Sequence, residues 1–249
     1  MLEPIRPTID EIEYPESDGE PMGESGIHVL AILHLLGALR YLLHQHLDIY
    51  VIADMFLYYE EGKPRSVRAP DVMVIKGVDA SYERKTFKTW EEEAVPSVVI
   101  EVTSQATAAE DLTTKYYLYE SLGVSEYFLF DPLEEYIQGQ LRGFRLVRNR
   151  YTPIRVNRDG TLTSQELHAR LQPEDYLLRV VDPVTNTPVP GLTEAMYETA
   201  RAMARAEQEA QRAEQEARRA DQAQAETERL KGIVAELEQR LAALKSSAE

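Results

Sequence analysis

The sequence predicts a mixed α/β domain followed by a long coiled-coil helix, and three observations carry that reading. A continuous apolar run with one acidic residue in it, SVVIEVT (97–103), has the pattern of a strand buried on both faces. Helix-like and strand-like segments follow one another as helix, three strands, helix, strand, the order of a mixed sheet core. From Ala206 onward, small and apolar residues recur at alternating spacings of four and three, the seam of a coiled coil. These features divide the chain into an acidic arm (1–22), an α/β domain (23–192) and a helical tail (193–249).

Taken in order, the arm contains Pro4, Pro7, Pro15, Gly19 and Pro21 and little periodicity, which predicts irregular structure. Ser25 is placed to cap a helix from Gly26 to His46, whose leucines lie on more than one face and predict burial on several sides. IYVIAD, MFLYYEE and APDVMVIKG are rich in β-branched and aromatic residues and read as strands. Residues 79–96 carry a basic cluster (Arg84, Lys85, Lys88) and no firm pattern. After SVVIEVT, Thr107 and Glu110 have the spacing of a capping box, opening a helix that Gly123 ends. EYFLFD reads as the next strand, and RGFRLV with RYTPIRV as a hairpin. YLLRVVD precedes a proline-rich stretch, DPVTNTPVPG, that closes the domain.

The tail opens with a near-repeat, AEQEAQR (206–212) and AEQEARR (213–219). Its seam holds alanine at 206, 210, 213, 217 and 220, then Leu230, Val234, Leu237, Leu241 and Leu244. Ala223 and Thr227 join the two runs with an irregular step, a stammer that overwinds the supercoil locally. The leucine half must supply most of the association energy, because alanine buries little surface. Self-association of this tail is therefore expected.

Composition narrows the chemistry. The chain has no cysteine, which rules out disulfides, a thiolate nucleophile and cysteine-bound zinc. Its acidic, proline-dotted start differs from a secretory signal, and the apolar run from Ile27 to Leu43 is broken by His28, His34 and Arg40. A cytoplasmic protein without a membrane span is expected. The net charge of −16 opposes passive attraction to nucleic acid, although Arg6 alone offsets eight carboxylates in residues 3–24. Against that background, residues 139–158 contain six arginines and no acid, either a phosphate-contacting face or an ordinary solvated one.

Three residues carry the candidate chemistry. Asp71 follows Pro70 at the start of a strand, and Glu101 lies inside an apolar strand, where an unpaired carboxylate costs several kcal/mol. Lys115 lies in the helix just downstream. Two carboxylates on adjacent strands can hold a hard divalent ion, and a lysine beside them can stabilise charge on a phosphate or orient water. Each also has a plain structural reading: Glu101 paired with a buried arginine, Lys115 solvated and paired with Asp111.

The ordered segments PMGESGIHVLAILHLLGALRYLL, PDVMVI, PSVVIEVTSQAT and EDLTTKYYLYESLGVSEYFLFDP resemble the Uma-type restriction endonuclease family, of the PD-(D/E)XK nuclease superfamily. The likeness spans roughly residues 20–185. It implies a restriction-endonuclease-like core and a metal-dependent endonuclease acting on nucleic acid, DNA foremost. Asp71 and Glu101 would be ligands to Mg2+ or Mn2+, helped by the main-chain carbonyl of Val102. The superfamily pattern places a lysine two residues after the second acid; Thr103 stands there instead, and in the Uma-type family the role passes to the helix, here to Lys115. Asp111 would orient Lys115, and Glu24 would support the site from the opening helix. The alternative is a non-cleaving nuclease-fold module whose tail binds other proteins.

Overall fold

The computed structural model describes residues 13–16, 25–104 and 107–246, with side chains through 235. It divides into two compact units, Met1–Ala195 and Met196–Glu249.

Helix α1 (Gly26–Leu43) begins where Ser25 accepts a hydrogen bond from the His28 amide, as its N-cap position predicts. It stops three residues before His46. The strands β1 (Ile49–Ala53), β2 (Leu57–Tyr58), β3 (Val67–Arg68), β4 (Val72–Lys76) and β5 (Phe87–Lys88) follow, then a single turn, α2 (Thr89–Glu92). The expected strand MFLYYEE shrinks to β2, which pairs with β3 and β5 in a small separate sheet. The basic cluster before it is used locally: Arg84 lies on the Tyr82 ring and pairs with Glu92 at 2.6 Å.

Next come β6 (Val98–Val102), α3 (Ala108–Glu110), a π-helical turn (Asp111–Lys115), α4 (Tyr116–Leu122) and β7 (Glu126–Phe130). Gly123 ends α4 in the left-handed region, φ 87°, which a residue with a Cβ adopts only under strain. The capping box does not form. Thr107 has helical backbone angles and its hydroxyl accepts the Ser104 amide, while Glu110 turns outward to Arg68. Strands β8 (Leu141–Val147) and β9 (Arg150–Pro153) make the expected hairpin, turning through Arg148 and Asn149, both at positive φ. A third sheet, β10 (Leu162–Ser164), β11 (Ala169–Glu174) and β12 (Leu177–Val181), completes the unit.

The main sheet has six strands in the order β1-β4-β6-β7-β8-β9. Only β6 and β7 run parallel, joined by the α3–α4 crossover that a parallel pair requires. The period of two in β6 sorts its side chains: Val98, Ile100 and Val102 meet α1, while Val99 lies among residues of α4 and of the neighbouring strands β4 and β7. Glu101 shares the face of Val99. That alternation aims a carboxylate at the underside of the crossover helix.

Helix α1 is long and apolar enough to cross a membrane by composition. Its Ala31, Leu35, Ala38 and Leu39 are instead fully buried against the main sheet and the β10–β12 sheet. Burial is one-sided rather than all round, because Leu30 and Leu33 on the opposite side remain 62% and 48% exposed. The last helix, α5 (Leu192–Ser246), runs unbroken for 55 residues, about 80 Å at helical rise.

Candidate functional site

The register of β4 against β6 pairs Val72 with Ile100, so one step further sets Asp71 opposite Glu101. The backbone locks the two carboxylates together. The Asp71 amide donates to Glu101 Oε2 at 3.3 Å, and the Val102 amide donates to Asp71 Oδ2 at 2.7 Å. Lys115 reaches down from the end of the π turn, with its Nζ 3.0 Å from Glu101 Oε2 and 2.9 Å from Asp111 Oδ1. One turn on, the Tyr119 hydroxyl donates to Glu101 Oε1 at 2.8 Å. Asp71, Glu101, Val102, Asp111 and Lys115 are thus brought to one place, while Glu24 lies outside the described residues.

The π turn matters to this geometry. It runs from Asp111 to Lys115, and the side chains at its two ends meet at 2.9 Å beside Glu101. The backbone of the turn is itself pinned, because the buried Tyr127 hydroxyl donates to the Asp111 carbonyl at 2.9 Å. Thr103, where the superfamily lysine is absent, is buried and its hydroxyl has no partner among the described residues. It carries no charge to the site.

Charge in the cluster is unbalanced. Among the described residues, three carboxylates meet a single ammonium, and Glu101 is wholly excluded from solvent. Burial pushes the Glu101 carboxyl up to about 8; Lys115 opposes the shift, and Asp71 and Asp111 add to it. Burial raises Asp111 as well. For Lys115, burial pulls downward, but Glu101 and Asp111 together hold the ammonium above its ordinary range. A site of this kind takes up a proton near neutral pH where it has no further cation to neutralise it.

His28 is a member that sequence reasoning left unassigned. Its Nε2 lies 3.5 Å from Asp71 Oδ1, and the ring is buried at the start of α1. No local pattern marks it, since the contact joins residues 43 positions apart. The arginine-rich hairpin resolves into two groups. Arg145, partly buried, pairs with the buried Glu126 at 2.7 Å, whereas Arg142, Arg148, Arg150, Arg155 and Arg158 are exposed, Arg150 in a surface pair with Glu120 at 2.9 Å.

The donor set suits a hard divalent ion. An ionised carboxylate offers about four lone-pair directions, so Asp71 and Glu101 retain capacity beyond the bonds described. The surplus of negative charge is what a cation relieves. Among the described residues no three acidic or histidine side chains form a ready-made cage. Such an ion would therefore keep water or phosphate oxygens in its shell, as magnesium commonly does.

The family model described as "Uma2: Putative restriction endonuclease" matches residues 2–178. No curated protein matches the chain. One similar solved structure is described as a putative nuclease belonging to DUF820 from Anabaena variabilis ATCC 29413. It is 14% identical, covers 65% of this chain and 91% of its own, and superposes with a TM-score of 0.45.

Proposed function

The chain belongs to the Uma2 restriction endonuclease family, and from that premise we propose that it hydrolyses nucleic-acid phosphodiester bonds, DNA foremost, with a divalent metal held by Asp71 and Glu101. The observation that carries this reading is the ammonium of Lys115, 3.0 Å from Glu101 on a strand adjacent to Asp71. A bound Mg2+ or Mn2+ would polarise a phosphate oxygen and acidify the attacking water. The Val102 amide fixes one Asp71 oxygen and the Tyr119 hydroxyl one Glu101 oxygen, leaving the remaining lone pairs for coordination. Asp111 holds Lys115 in place, and the ammonium donates to the phosphoryl oxygen that gains charge as water adds to phosphorus. The attacking water gives up one proton to solvent, the P–O ester bond breaks, and the departing oxygen takes up a proton in its place.

The tail adds self-association to this reading, through the seam whose Leu230 and Val234 are more than half exposed in the single chain. A second reading, a non-cleaving module that binds through its tail, is favoured by the net charge of −16. One assay separates the two. Supercoiled DNA, single-stranded DNA and RNA are each incubated with the protein and Mn2+ or Mg2+. Cleavage by the parent, lost in Lys115→Met and Glu101→Gln, is expected. Intact substrates, or equal cleavage by both variants, would overturn the catalytic reading.

A further inference from the structure

Resting on the reading of the tail as a self-association seam, we propose that two copies of α5 pair antiparallel, the alanine half of each lying against the leucine half of the other. Two independent features of the helix lead there: the size of its seam residues and the charge of the residues flanking them.

Size comes first. With Ala210, Ala217 and Val234 at a positions, the spacings four and three place Ala206, Leu230 and Leu237 at d. A parallel pair stacks alanine on alanine for the first half and leucine on leucine for the second. An antiparallel pair centred near Ala223 matches a to d in nearly every layer: Ala206 faces Leu241, Ala210 faces Leu237 and Ala217 faces Leu230. Small against large fills each layer evenly at one interhelical distance. The irregular step at 220–223 falls at the centre, where a two-fold axis crosses the pair once. Among the described residues, Met203, Leu230 and Val234 are 68%, 55% and 53% exposed, so the seam has no intramolecular cover there.

Charge points the same way, since the e and g positions beside the seam set the orientation of partners. In the alanine half they are all acidic: Glu207, Glu209, Glu214, Glu216 and Asp221. A parallel pair sets Glu209 against Glu214, Glu216 against Asp221, and Arg240 against Lys245, with Glu226 and Lys231 the one attractive match. An antiparallel pair sets Glu214 against Lys231 and Glu209 against Arg240, with Glu207 and Glu238 the one repulsive match. Within one chain Glu214 and Lys231 make exposed pairs with Arg218 and Glu228, which a partner can share or replace. Parallel pairing is thus disfavoured by the acidic flank, and antiparallel pairing uses it.

The arrangement has a measurable geometry. Helical rise puts the two Met203 positions about 60 Å apart and the two Ala223 positions about 10 Å apart, whereas a parallel pair brings both to about 10 Å. The absence of cysteine allows clean labelling of the full chain as Met203→Cys or Ala223→Cys. Spin-label distance measurement on each variant, with light scattering of the unlabelled parent chain for mass, is the test. A dimer with a short distance at 223 and a long one at 203 is expected. Short distances at both sites would overturn the antiparallel orientation while leaving tail self-association intact. A monomer, or a dimer that persists when 196–249 are deleted, would overturn self-association through the tail and the orientation with it.

Discussion

At the scale of single residues, the site is governed by an excess of buried carboxylate over ammonium. Glu101 titrates at about 8 in the folded chain against an ordinary 4.5, because burial disfavours its charged form. The folded state therefore retains a proton that the unfolded chain releases. That contribution to stability is complete below the ordinary value and is lost as pH rises through about 8. Asp111 shifts in the same direction. A divalent cation held by Asp71 and Glu101, as proposed, would do the proton's work at higher pH, so Mn2+ at a hundredfold excess over its Kd should raise Tm by about 5–10 °C at pH 8. The gain at pH 5 should be much smaller; equal gains at both would argue against metal and proton sharing one site. Lys115→Met should lower cleavage by roughly a hundredfold or more, on the scale of a lost transition-state donor, and leave Mn2+ affinity equal or higher. The substitution removes one positive charge and keeps both proposed ligands. Weaker Mn2+ binding in that variant would assign Lys115 to holding the site together.

At the scale of elements, β6 was legible because a lone acid in an apolar strand needs a reason to be there, and the Ser25 cap and the Gly123 stop were legible because each is local chemistry. The π turn was not. DLTTK contains no proline or glycine, and the turn is pinned by Tyr127, a contact from β7 that local propensity does not encode. The Thr107–Glu110 box failed for a related reason: Ser104 and Arg68 compete for the two side chains. The arginine hairpin illustrates how a charge run can conceal two roles. Glu126 accepts bonds from Arg145, the Ser164 hydroxyl and the amides of Gln165 and Glu166, tying β7 and β8 to the turn that follows β10. Glu126→Ala should cost about 2 kcal/mol, less than a fully buried pair because Arg145 keeps solvent contact. Thermal unfolding should show a fall of about 4–8 °C, against almost none for exposed Arg142→Ala. Equal effects of the two would mean that the hairpin arginines are interchangeable surface charge.

At the scale of the whole molecule, the mixed sheet, its crossover helix and the long terminal helix followed from periodicity, whereas the six-stranded order depends on pairings between distant segments. The same limit hid His28, whose partner Asp71 lies on another element. Deleting residues 196–249 should leave a cooperatively folding domain of lower oligomeric order, since the first unit has its own core. An unchanged mass in light scattering would place the association in the domain itself. Calorimetric titration of Mn2+ at pH 8 tests, without knowledge of the substrate, whether Asp71 and Glu101 form a cation site. Saturable binding by the parent, abolished in both Asp71→Asn and Glu101→Gln while each variant still unfolds cooperatively, is the predicted result. Binding by both variants as tight as the parent's, or none by the parent, would contradict it.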